Sequence, residues 1–148
     1  MPKPLIVSEN KRNKPLDLGG FLITVLASEV DTGDYEVFLI EGPEDKGPGP
    51  HYHPWDESFF VIYGELHCGI DDVETLAFPG TLIHVPAGST HWFRFGKGGA
   101  SLISMTSRGN ASKMFVDFAK GISWDSPDRE KLIALAAKHG QIILNPQT

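Results

Sequence analysis

The sequence predicts an all-β fold, a barrel or sandwich of short strands, with two short C-terminal α-helices. Two observations lead there. Short apolar or alternating runs recur from Phe21 to Thr106, each ended by turn formers such as Asp31-Thr32-Gly33-Asp34, Gly64, Asp71-Asp72, Pro79-Gly80, Pro86-Ala87-Gly88 and Gly96 to Gly99. Beyond Gly109 the apolar spacing lengthens from two residues to three and four, which is the helical period.

Residues 1–20 are polar and punctuated by proline, and read as a lead-in arm. Phe21–Val30 and Tyr35–Glu41 flank the turn at 31–34 and read as a hairpin. Residues 42–50 (GPEDKGPGP) hold three prolines and three glycines, so they form a loop that runs into His51. Strands are then expected at Glu57–Tyr63, Glu65–Ile70, Glu74–Phe78, Leu82–Val85, His91–Phe95 and Ala100–Thr106. Ser112 to Lys120 places Met114, Phe115, Phe118 and Ala119 at helical spacing. A second helix is expected to start with Ser126 as cap, Pro127 in the first position and Asp128 facing the dipole. Leu132, Leu135, Ala136 and His139 share its inner face, and Gly140 ends it. Gln141 to Leu144 reads as one more short strand. No linker divides the chain, so 1–148 is expected to be one domain: arm 1–20, barrel 21–107 and helical segment 111–140.

Charge and composition narrow the function. The net charge is -6, and Lys11-Arg12-Asn13-Lys14 is a solvated cluster rather than a phosphate-binding stripe, so no nucleic-acid or anionic membrane partner is expected. Cys68 stands alone, so no intrachain disulfide forms, and it reads as a small buried hydrophobe. No apolar run is long enough to span a bilayer, the first twenty residues lack a signal-peptide stretch, and a cytoplasmic location is expected.

The chemistry concentrates in two clusters. In His51-Tyr52-His53-Pro54-Trp55-Asp56-Glu57, a β-conformation projects His51 and His53 from one face. Glu57 then opens the next strand and can return a carboxylate to the same place. Two imidazoles and a carboxylate suit a divalent first-row metal. In the second cluster, Pro86 and Gly88 make a turn that delivers His91 to a strand start. His67, His84 and His139 have no second ligand at a suitable spacing and read as structural. Phe59, Val61, Phe93 and Phe95 alternate with the ligand face, either as plain core or as the wall of an apolar pocket. Arg94 and Tyr63 are candidate substrate contacts, or surface residues.

The spacing His-x-His-x3-Glu-x6-Gly is met by His51, His53, Glu57 and Gly64, and Gly-x5-Pro-x-Gly-x2-His by Gly80, Pro86, Gly88 and His91. Together, over roughly residues 35–106, these resemble the two motifs of the cupins, with fifteen residues between them. The C-terminal helices are similar, by pattern alone, to those of small quercetin-dioxygenase-like cupins. Two positions depart from the family pattern: Asp45 stands where a glycine usually precedes the first histidine, and Phe95 where many cupins have asparagine. The resemblance implies a double-stranded β-helix, or jelly-roll barrel, with one divalent ion (Fe, Mn, Ni, Cu or Zn) held by His51, His53, Glu57 and His91.

That ligand set leaves about two positions open on a six-coordinate ion, which leaves room for catalysis. The leading expectation is a dioxygenase acting on a small aromatic or enol substrate, with Glu57 as ligand and proton acceptor. The alternatives are a non-redox isomerase or lyase acting on a sugar or keto acid, and a non-catalytic small-ligand sensor. The resemblance also implies a homodimer, formed through the N-terminal segment and one sheet face; Phe60 and Ile62 make the outer face of Glu57–Tyr63 apolar and call for a cover, either a C-terminal helix or a second subunit.

Overall fold

In the computed structural model, which describes residues 3–144, two long strands organise the barrel. The remaining residues of the expected domain, 1–2 and 145–148, lie outside the described part. After a 3-10 turn at Glu9–Lys11 come β1 (Leu16–Asp17), β2 (Leu22–Ala27), α1 (Glu29–Thr32), β3 (Glu36–Gly42) and β4 (His51–Tyr52). Then follow β5 (Glu57–Ile70), β6 (Val73–Ala77), β7 (Leu82–Val85), β8 (His91–Thr106), α2 (Ala111–Gly121), α3 (Arg129–Lys138) and β9 (Ile142–Ile143). One edge runs β1-β2-β3-β8-β4-β9, while β5 pairs with β6, β7 and β8, so the sheet curls into an all-β barrel.

Three expectations are corrected. The stretches 57–63 and 65–70 are one strand, as are 91–95 and 100–106. Gly64 sits at a register shift between β5 and β8, and Gly98 and Gly99 (φ 80° and 86°) let β8 bulge instead of reversing. The hairpin of β2 and β3 forms, but its connection holds the helical turn α1, because Ser28 and Asp31 cap each other as a capping box. Ser126 does not cap the last helix: Asp128 does, accepting from the Lys131 amide, and Pro127 lies outside. Gly140, at φ 94°, follows the helix end as expected.

The inner face carries the core. Phe38, Ile40, Phe59, Val61, Leu66, Phe95 and Leu102 are all buried, and α2 lays Met114 and Phe118 onto them. Phe115 meets Phe38 edge-on at 5.3 Å. Glu36, buried in β3, accepts from the Glu29 amide with one oxygen and from the Ser112 amide with the other, both at 3.0 Å. One carboxylate thus satisfies the starts of two helices. Neither helix covers Phe60 and Ile62, which stay 43% and 47% exposed, so of the two expected covers the helix is excluded. No described helix is long and apolar enough to cross a membrane.

Candidate metal centre

The two clusters meet because β4 pairs with β8 at a single rung, His51 opposite His91. Opposed residues of an antiparallel pair project from the same face, so both imidazoles enter the barrel mouth. His53 follows two residues on, and its carbonyl accepts from the Gly88 amide at 2.9 Å. The Asp56 carboxylate accepts from the Ala87 amide at 2.9 Å, fastening the Pro86–Gly88 turn beside the first cluster. Trp55 stacks on His53 at 4.4 Å with the rings 10° apart.

The histidines are buried, and their candidate ligand nitrogens lie within 4.8 Å of one another. Each Nδ1 faces a backbone carbonyl: His51 that of Gly49 at 2.7 Å, His53 that of Trp55 at 2.9 Å, and His91 that of Ser89 at 2.9 Å. A carbonyl only accepts, so each Nδ1 carries the proton, and in a neutral ring each Nε2 is left with a lone pair. Glu57 Oε1 lies 3.2 Å from His53 Nε2 and 3.4 Å from His91 Nε2, while Oε2 accepts from the Ser104 hydroxyl at 2.7 Å. His91 Nε2 is buried without a hydrogen-bond partner among the described residues. Lone pairs facing a carboxylate repel unless a cation or proton lies between them. This donor set therefore fits a divalent metal, and the carbonyls holding Nδ1 are the outer contacts that orient metal-binding histidines.

Burial, with neighbouring His91 adding to it, lowers the His51 pKa to about 3, so the ring is neutral and able to ligate. Burial alone would raise the Glu57 pKa, but in the metal-free fold, with a proton between Oε1 and the imidazoles, hydrogen bonding and attraction from His53 and His91 outweigh it and hold the carboxyl well below the usual range. These shifts set a pH dependence. Between about pH 6.5 and about pH 3 the unfolded chain protonates His51 and the metal-free fold does not. The unfolded state then binds the extra proton, so stability falls as pH drops through that window. Glu57 acts in the same direction: its stabilising contribution is present above its unfolded value of 4.5 and is lost as pH falls toward its lower folded value. Thermal melts of metal-free protein from about pH 7.5 to about pH 4 should show a falling midpoint, and a flat profile would contradict a buried neutral His51.

His51, His53 and Glu57 form the floor of a cavity of about 400 Å³, with His91 outside its lining. Phe93 lines it, as expected, but Phe59, Val61 and Phe95 do not. They belong to the core behind it, with Phe59 and Phe95 packed against Phe93 at 5.2 and 5.7 Å. Arg94 lies over Trp92 on the outside and Tyr63 is 65% exposed, so neither reaches the cavity. His67 pairs with Glu74, His84 with Ser58 and His139 with Asp117, all away from the centre. Cys68 is buried, and burial raises its thiol pKa. Sequence reasoning missed the ceiling: Leu18, Phe21, Met114, Trp124, Leu132 and Gln141 close the cavity from segments flanking the barrel strands. Its only signal was the inward face of the helices. The expected strand at 141–144 is β9, which pairs with ligand-bearing β4, a partner no local pattern specifies.

Residues 37–105 match the family described as "Cupin domain". A quercetin 2,3-dioxygenase of Bacillus subtilis (strain 168) is 31% identical over 90 residues, 60% of this chain and 27% of that protein. An acireductone dioxygenase of Synechococcus sp. (strain CC9902) is 44% identical over 50 residues, 31% of this chain and 27% of that protein. The chain thus spans about a quarter of the length of these curated relatives. Among solved structures, KdgF from Halomonas sp. superposes with a TM-score of 0.66 at 16% identity, covering 73% of this chain and 99% of that one. An RmlC-like cupin from Shewanella frigidimarina gives 0.65 at 20% identity, covering 76% and 99%. At those identities the structural matches speak to the fold, which is the jelly-roll barrel.

Proposed function

The barrel of this chain is a cupin domain, and from that premise we propose a metal-dependent dioxygenase acting on a small aromatic or enol substrate. The observation that carries the reading is the set of Nδ1 contacts that turn three imidazole Nε2 atoms inward beside the Glu57 carboxylate. A divalent ion held by His51, His53, Glu57 and His91 supplies Lewis-acid and, if redox-active, electron-transfer chemistry toward dioxygen.

The chain's own residues do the rest. Ser104 holds Glu57 Oε2, which leaves Oε1 toward the imidazoles as the carboxylate donor to the ion. Trp55, Phe93 and Met114 give the substrate an apolar wall and keep water out. The same wall ranks the sugar isomerase or lyase lower, because buried sugar hydroxyls would find few partners there. That both curated relatives are named dioxygenases supports the redox reading.

Elemental mass spectrometry on protein never exposed to a nickel column tests it. About one equivalent of iron, manganese, copper or nickel is expected, with chelator-sensitive oxygen uptake on phenols or flavonols. Stoichiometric zinc, or no oxygen uptake by metal-loaded protein, would overturn the dioxygenase reading.

A further inference from the structure

We infer that Thr106 is a positioning residue for Glu57, its hydroxyl donating to that carboxylate once the carboxylate serves as a ligand. This rests on the metal reading of the centre given above. Among the described residues, two buried side-chain atoms have no hydrogen-bond partner, His91 Nε2 and Thr106 Oγ1. The first lies 3.4 Å from Glu57 Oε1 and is explained by a ligand role. The second needs an explanation of its own. Thr106 is only 2% exposed, and a desolvated hydroxyl without a partner lowers the stability of the fold that keeps it.

Register brings the hydroxyl to Glu57. Thr106 of β8 opposes Glu57 of β5 on one side and Glu36 of β3 on the other. Opposed residues share a face, with Cβ atoms about 4.5–5.5 Å apart, so three buried polar side chains stand in one rung of the inner face. A threonine hydroxyl has one proton to give, and an ionised carboxylate only accepts. Glu36 already takes a backbone amide on each oxygen, and those amides belong to helix starts that stand with or without an ion. Glu57 takes the Ser104 hydroxyl on Oε2 and turns Oε1 to the imidazoles. Ser104 and Thr106 are two residues apart on β8, so both hydroxyls are carried on the face that Glu57 occupies. Rotation about one side-chain bond, between staggered positions, re-aims Oγ1. A donor aimed at a ligating carboxylate fixes its orientation, and such outer contacts raise metal affinity.

Thr106→Val keeps the shape of the side chain and removes the hydroxyl, and its two effects should have opposite signs. Metal-free Thr106→Val should melt no lower than wild type and up to about 4 °C higher, since no bond is lost and an unpaired buried hydroxyl is gone. Co(II), titrated in competition with a chelator and followed by its visible bands, should bind the variant about 10–100-fold more weakly. Thr106→Ser restores the hydroxyl and should bind Co(II) as wild type does, although it loses a buried methyl and melts lower. Equal Co(II) affinity in wild type and Thr106→Val strikes this assignment alone and leaves the metal reading standing. A serine variant as weak as the valine one traces the loss to packing and overturns the assignment. So does a metal-free Thr106→Val that melts lower or fails to fold, because the hydroxyl then serves the metal-free fold. Wild type that binds no Co(II) overturns the metal reading and, with it, the role of Thr106.

Discussion

His91→Ala is expected to lose stoichiometric metal and keep a folded barrel, and His53→Ala should do the same. His91 brings one of three converging Nε2 atoms, and no described side chain stands ready to replace it. Losing even an outer contact of a ligand commonly weakens metal affinity about 10–100-fold, so removing a ligand should exceed about 100-fold. The cost to the apo fold is smaller. What is lost is the Nδ1 hydrogen bond to the Ser89 carbonyl, worth about 1 kcal/mol, together with the Nε2 approach to Glu57 at 3.4 Å and the packing of a buried ring. Elemental analysis gives the first quantity and a thermal melt of the apo protein the second. His84→Ala, which removes a surface partner of Ser58, serves as the control that keeps its metal. Unchanged metal content in both ligand variants would mean that the ligand set is wrong.

Gly64→Ala should be the most destabilising of the single-methyl changes at the motif glycines, at about 3–5 kcal/mol. Gly64 has φ 74°, and a Cβ there would sit 2.2 Å from the Gly99 carbonyl oxygen and 2.9 Å from Ala100 Cα. Both obstacles are backbone of β8, so no side chain can swing aside. Gly88 also has a positive φ, 85°, but nothing lies within 4 Å of its missing Cβ. Gly88→Ala therefore bears only the left-handed cost, about 1–2 kcal/mol. Denaturant titration of the two variants compares them directly, and equal losses would refute the close approach at Gly64. Against a typical total of about 5–15 kcal/mol, the first change removes a large share of stability.

The convergence of His51 and His53 was legible because strand geometry repeats every two residues: the two had to share a face wherever the strand lay. The turn before His91 was legible from Pro86 and Gly88 for the same local reason. What depends on distant partners was not. The carbonyls that fix each Nδ1 depend on backbone placed by the loops around them. Glu36 reads locally as a polar residue at a strand start, yet it serves a helix 76 positions away. Phe59, Val61 and Phe95 were correctly turned inward, but alternation specifies a face and not the depth along the barrel, so pocket and core could not be told apart. Gly64 and Gly99 announced turns, and only the pairing of β5 with β8 made them bulges within continuous strands.

The cavity's floor comes from residues inside the span 37–105, and most of its ceiling from outside it, between Leu18 and Phe21 and from Met114 onward. On the proposed reading, the ion's ligands and most of the surface that closes over them are thus written in separate stretches of the gene. Drift in the flanks can reshape what is admitted while the ligands below stay in place, so a lineage can exchange one molecule for another without passing through an ancestor that has lost its ion.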